Sequence, residues 1–203
     1  MQMHIANATI HLTLPQGMAG IPSELLNFEP FTTATIQPAA AGNTLTPPAH
    51  GEYWLGQGGY YVCTLPALLD APARHLIAGA AESEDRITYG PSIDVPGARS
   101  QLNGRTNTAA LLATGKDHPA AEWATAYAAD GHTDFFLPSR LDLVMAHICA
   151  PELFEKSSWY WSSTQSSRTN AFVQDFEGGD SIWDGKGSER RVRAFRWVQD
   201  LNA

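Results

Sequence analysis

The run Pro138-Ser139-Arg140-Leu141-Asp142 is the feature that most constrains the fold. Ser139 is a helix-capping residue, and Asp142 stands three positions on, where a capping box places an acidic side chain reaching back to the cap. Leu141, Val144, Met145 and Ile148 then recur at helical spacing, and Pro151 stops the helix. A helix over 139–150 is predicted. An upstream helix over 119–129 is marked by Pro119 at a first helical position, by Ala120, Trp123, Ala124 and Tyr127 on one stripe, and by Gly131 beyond its end. After Pro151 the pattern changes. Trp159-Tyr160-Trp161-Ser162-Ser163-Thr164 is aromatic and strand-forming, as is Ala171-Phe172-Val173-Gln174-Asp175-Phe176. Gly178-Gly179-Asp180 is a turn, and 191–198 is a final strand. Helices followed by a meander of short strands with long loops define an α+β class, with two helices on a mostly antiparallel sheet.

Upstream, residues 6–14 alternate, with Ala8, Ile10, Leu12 and Leu14 on one face of a half-buried strand. Residues 30–50 are rich in Ala, Thr and Pro and end in Pro47-Pro48, which reads as a strand and then an extended connector. A boundary at residue 50 follows, with 1–50 as a short β-rich arm for attachment or oligomerisation and 51–203 as the main domain. Gly56-Gln57-Gly58-Gly59 is a structural turn rather than a phosphate loop, because no Lys-Ser/Thr pair follows and Tyr60-Tyr61-Val62 continues as strand. Residues 75–79 form another short strand, and 82–105 read as a long ordered loop.

The formal net charge of -8 disfavours nucleic acid and anionic membranes as partners. No apolar run approaches the roughly 20 residues that span a bilayer, and Met1-Gln2-Met3-His4 shows no basic stretch of a signal peptide. Cys63 and Cys149 sit in apolar surroundings and read as buried free thiols, with a disulfide left open. No nucleophile elbow or zinc-protease motif is present. His132 beside Asp134 is the one candidate acid–base pair, and a structural or solvated histidine is the expected reading. Asp175, Glu177, Asp180 and Asp184 are close in sequence but match no calcium-loop spacing. A chain without enzyme activity, metal or cofactor is expected.

An ordered set of pieces carries a family resemblance. Gly56-Gln57-Gly58-Gly59 is followed by Asn103-Gly104-Arg105-Thr106-Asn107-Thr108 and an Ala-rich helix. Then come Asp134-Phe135-Phe136-Leu137-Pro138-Ser139, a short helix, Tyr160-Trp161-Ser162-Ser163-Thr164, and Val192-Arg193-Ala194-Phe195-Arg196. Over roughly residues 50–200 this resembles the Lcl C-terminal-like domain family of prophage and bacterial surface proteins. The resemblance implies a C-type-lectin-like fold and distant similarity to the variable binding proteins of phage tails. The expected function is a non-catalytic ligand- or receptor-binding module of a phage tail or prophage-encoded surface protein. A structural tail or baseplate component is the alternative, and an enzyme of the formylglycine-generating class a weaker one, since its cysteine pair has no counterpart after Cys149. Expected partners are a bacterial surface glycan or protein, other tail proteins and further copies of the chain, by family analogy as a trimer. The expected location is the virion, assembled in the bacterial cytoplasm.

Physical roles come first for these motifs. Ser162, Ser163 and Thr164 are expected to satisfy backbone groups where the sheet opens into a loop. Trp159 and Trp161 should face away from Tyr160, and Arg193 and Arg196 should pair with Asp134 or Asp142. The candidate binding residues lie in the polar, Gly-rich stretches after Thr164: Arg168, Asn170, Asp180, Trp183, Asp184 and Lys186. Adaptable polar side chains around a rigid aromatic anchor are the chemistry of a recognition surface. The alternative places Trp183 in the core, plugging the end of the sheet.

Overall fold

Strand β9 (Arg193–Gln199) and strand β5 (Trp159–Gln165) organise the molecule, because each carries side chains into two separate cores. The computed structural model describes residues 45–69 and 71–199, all within the unit Thr44–Ala203. The strand and connector expected over 6–14 and 30–44, and with them most of the proposed arm, lie outside the described residues.

Besides β5 and β9, the chain forms β1 (Tyr53–Trp54), β2 (Gly59–Leu65), β3 (Arg74–Glu82) and β4 (Ile87–Thr88). Three helices follow: α1 (Gly104–Leu112), α2 (Pro119–Ala126) and α3 (Arg140–Cys149). Strands β6 (Asn170–Asp175), β7 (Ser181–Gly185) and β8 (Glu189–Arg190) complete the set. One sheet has the order β1-β2-β3-β9, a second β5-β6-β7, and β4 pairs β8. Every strand pairing within these sheets is antiparallel. The α+β class with antiparallel sheets is what the helix and strand patterns predict.

Tyr160 enters the core formed by β2, β3, β9 and α3, whereas Trp161 enters the one formed with α1 and α2. Both are fully buried, as the period of two requires of a strand covered on both faces. Trp159, on the same side as Trp161, packs at the edge of that second core. On β9, Ala194 joins the first-helix core and Phe195 the other.

Three expectations need correction. Helix α1 falls at Gly104–Leu112, so the described residues form three α-helices rather than two, and the 82–105 segment also contains β4 and a 3-10 turn at Pro96–Ala98. Asn103 caps α1 by accepting from the Thr106 amide. A Cβ on Gly104 would come within 2.6 Å of the Ser139 amide and 2.8 Å of the Leu137 carbonyl, so glycine permits the start of α1 to lie against the start of α3. Helix α2 stops at Ala126, where Tyr127 turns extended, packs edge-on against Phe135, and accepts from the Ala80 amide through its hydroxyl at 3.0 Å. The buried face of α3 is Asp142, Leu143 and Ala146, leaving Ile148 exposed. That rotation is set by a fully buried ion pair, Arg74 to Asp142 at 3.5 Å.

The start of α3 follows the sequence closely. Ser139 and Asp142 form the full capping box. The Arg140 amide donates to Thr164 Oγ1 at 3.0 Å, and the Leu141 amide to the Gln101 carbonyl at 2.9 Å. Thus the first-turn donors that a helix leaves open are taken by its own cap and by partners from two other segments. Ser163 and Thr164 occupy the same junction: Thr164 Oγ1 donates to the Ser100 carbonyl at 2.8 Å, and the Ser163 amide donates to the Pro138 carbonyl at 2.6 Å. The role expected of these hydroxyl residues is the one they perform.

Candidate binding face

Strand β7 is paired on one side to β6 and, among the described residues, has no strand partner on the other. Its register sets Trp183 opposite Phe172, Ile182 opposite Val173, Asp184 opposite Ala171 and Gly185 opposite Asn170. Trp183 is 62% exposed and Ile182 50%, on opposite faces of the strand. The core-plug reading of Trp183 is therefore corrected. It stands on a strand rather than in a loop, because Ile182-Trp183 is a short strand-forming pair between Gly179 and Gly185.

The face that carries Trp183 also carries Asn170 and Phe172 of β6. Arg140, at the start of α3, lays its guanidinium 4.2 Å from the centre of the Phe172 ring and donates to the Ser181 hydroxyl at 2.9 Å and the Ser181 carbonyl at 3.1 Å. Trp183, Phe172 and Arg140 thus form a ledge in which the aromatic at the rim is open and the cation behind it is fixed by three contacts. Phe172 and Arg140 are absent from the sequence-derived set. The period-two alternation of Asn170, Phe172 and Gln174 was the available signal for Phe172. The approach of Arg140 is tertiary and carries no local signature.

The six expected residues divide. Arg168 is exposed, with its Nε donating to the Ser92 carbonyl at 3.0 Å. Asn170 is half-buried at the start of β6, and its carbonyl accepts from the Ser166 and Ser167 amides, closing the turn that displays Arg168. Asp180 is exposed just before β7. Asp184 is half-buried and committed to the turn between β7 and β8: Oδ2 pairs with Arg190 at 2.7 Å, while Oδ1 accepts from the Gly185 amide at 2.7 Å and the Ser188 hydroxyl at 3.1 Å.

Lys186 leaves the set. It is 1% exposed, and its ammonium donates to the Ile93 carbonyl at 2.7 Å and Gln165 Oε1 at 2.6 Å, beside the Tyr89 ring. Burial pushes its pKa down to about 8, against the pull of Asp94. The lysine clamps the 89–95 segment to the turn between β7 and β8, which makes it a support of the face and removes it from contact with a ligand.

The nearby acids do not converge either. Burial alone would raise the Asp175 carboxyl, but the amides of Glu177, Gly178, Asp180 and Gly179 together outweigh it and hold it below the usual carboxylate range. Its oxygens accept from the Gly178 amide at 2.7 Å and the Glu177 amide at 2.9 Å, so the group shapes the Gly178-Gly179 turn. Among the described residues no cluster of three His, Cys, Asp or Glu side chains is arranged to hold a metal ion. Nor is any described helix long and apolar enough to cross a membrane.

The His132–Asp134 pair does not form. His132 Nε2 contacts the Gly56 carbonyl at 2.9 Å, and Asp134 is ion-paired to Arg196 and to Arg105, the latter at 3.2 Å. Arg193 pairs instead with Glu82 at 3.1 Å, so only Arg196 has an expected partner. Asp130 anchors the Gly56–Gly58 turn by accepting from the amides of Gly56 at 3.0 Å and Gly58 at 3.1 Å, both glycines having positive φ. This is the structural role predicted for that motif.

No protein-family model matches the chain, and no curated protein does. Among solved structures the chain is similar to a fimbrial protein from Bacteroides ovatus ATCC 8483, at 15% identity with a TM-score of 0.46 over 60% of this chain. The match spans 35% of the length of that protein. At that score the likeness sets neither fold nor function.

Proposed function

We propose that the chain is a non-catalytic recognition module with a C-type-lectin-like fold, displayed on a phage tail or prophage-encoded surface protein, and that the Trp183 ledge is its binding face. The observation that carries the reading is the exposure of Trp183 at 62% and Ile182 at 50% on a strand that is the edge of its sheet among the described residues, in a chain whose Trp54, Trp161 and Trp197 are all buried. An aromatic ring held out on a rigid strand supplies contact area at little entropic cost. Arg168, Asn170 and Asp180 border the same strands and offer donors and acceptors of both signs. The resemblance over residues 50–200 supports the setting, and a bacterial surface glycan or protein is the ligand class that setting implies.

The test is retention of the full chain on bacterial cells and on purified surface polysaccharide, with Trp183→Ala as the control. Retention of the wild type and loss with the variant support the reading. Association only with tail proteins, unaffected by the variant, would favour a structural virion component instead.

A further inference from the structure

Cys63 and Cys149 are 86 positions apart in the chain, both are free, and the fold brings them together. Cys149 is the last residue of α3, and α3 packs on β2, which carries Cys63. The register of β2 against β3 shifts between Tyr61 and Cys63. A bulge of this kind turns two consecutive side chains to one side, and both Val62 and Cys63 enter the core that Cys149 packs against. The two side chains are neighbours there, with Cys149 packed against the core cluster that contains Cys63. Cys63 is buried, while Cys149 is partly open to solvent.

We infer that Cys63 and Cys149 are a modification site, an intramolecular disulfide that closes by exchange with an external low-molecular-weight disulfide. The Cys149 thiolate attacks one sulfur of that disulfide, bonding to it and expelling the first external thiolate. Cys63 gives its proton to water and attacks Cys149 Sγ. The Cys63–Cys149 bond forms, the bond to the external sulfur breaks, and the second external thiolate leaves and takes up a proton. Two protein thiols are oxidised and one external disulfide is reduced to two thiols. The order of events follows from exposure, since only Cys149 is accessible to the reagent. Burial and the adjacent Cys149 push the Cys63 thiol up to about 12, so closure is slow at neutral pH and faster in alkali. The crosslink would be open in a reducing compartment and closed in an oxidising one.

The full chain, kept native, is incubated with oxidised glutathione at alkaline pH and its peptides are mapped without reduction. The expected result is a Cys63–Cys149 linked peptide, no retained glutathione, and a thermal midpoint raised by about 10 °C, as closing a loop of this length implies. Dithiothreitol should reverse both changes, and Cys149→Ser should show neither. Glutathione remaining on Cys149, a link between two chains, or a link that forms only after denaturant is added would each overturn the inference.

Discussion

Replacing Thr164 by Val tests the junction between the helices and the β5-β6-β7 sheet. The side chain is fully buried, and Val matches its shape while removing the hydroxyl. That hydroxyl makes two short hydrogen bonds, accepting from the Arg140 amide at 3.0 Å and donating to the Ser100 carbonyl at 2.8 Å, beside a long one from Asn107 Nδ2 at 3.4 Å that Asn107 can forgo because it also donates to the Ser100 carbonyl. The two losses are unequal. The Ser100 carbonyl keeps a bond from Asn107 Nδ2 at 2.7 Å, so it forfeits about 1 kcal/mol. The Arg140 amide, at the first position of α3, loses its partner inside the fold and costs about 1–3 kcal/mol. The extra methyl of Val returns about 1 kcal/mol of burial. Thr164→Val should therefore destabilise by about 2 kcal/mol, lowering the thermal midpoint by roughly 4–8 °C. Urea titration should show a lower midpoint with an unchanged slope. Thr164→Ser separates the hydroxyl from packing, since it keeps both hydrogen bonds and loses one methyl, at about 1 kcal/mol. If Val is tolerated as well as Ser, the hydroxyl is not holding the helix start and the account of this junction is wrong.

Other outcomes follow from buried charge. Asp142→Asn leaves the Arg74 guanidinium buried without its carboxylate and should cost about 3–5 kcal/mol by urea titration; a loss under about 1 kcal/mol would mean that Arg74 is satisfied by its carbonyl partners. Burial, followed by the nearby Lys186 ammonium, holds the fully buried His118 imidazole below its ordinary value. The unfolded chain then takes up the proton first, so this residue's contribution to stability falls as pH drops through about 6.5 and levels off below the folded value. His118→Leu should have a shallower decline than wild type between neutral and mildly acidic pH by thermal melts; parallel curves would refute the assignment.

The legible parts of the fold were those fixed by local chemistry. The Ser139–Asp142 capping box, Pro119 at a helix start and the alternating aromatics of β5 each declare themselves within a few residues. Helix α1 is hard to see in the sequence because its signal is weak: Asn103 is a good cap, but the helix opens on Gly104 and carries Asn107 and two Thr, poor helix formers, of which Asn107 bonds across to Ser100 and Ser163 and Thr108 to Leu137. The face of α3 was misassigned at Ile148 because the position of the buried Arg74, contributed by β3, decides which side turns inward. At the candidate binding face, Trp183 and Arg168 are recognisable by residue type. Lys186 was not separable from them by sequence, since its burial depends on Gln165 and Ile93 arriving from distant segments.

The central claim is that Trp183 is a contact residue on a scaffold that does not need it. The measurement is a paired one on Trp183→Ala: retention on host cells and purified surface polysaccharide, and stability by urea titration. With 62% of the residue already exposed, truncation should cost only about 1–2 kcal/mol of stability, while binding weakens by at least about 30-fold, as loss of an aromatic anchor implies. Unchanged retention, or a stability loss of several kcal/mol like that expected for the buried Trp161, would contradict it.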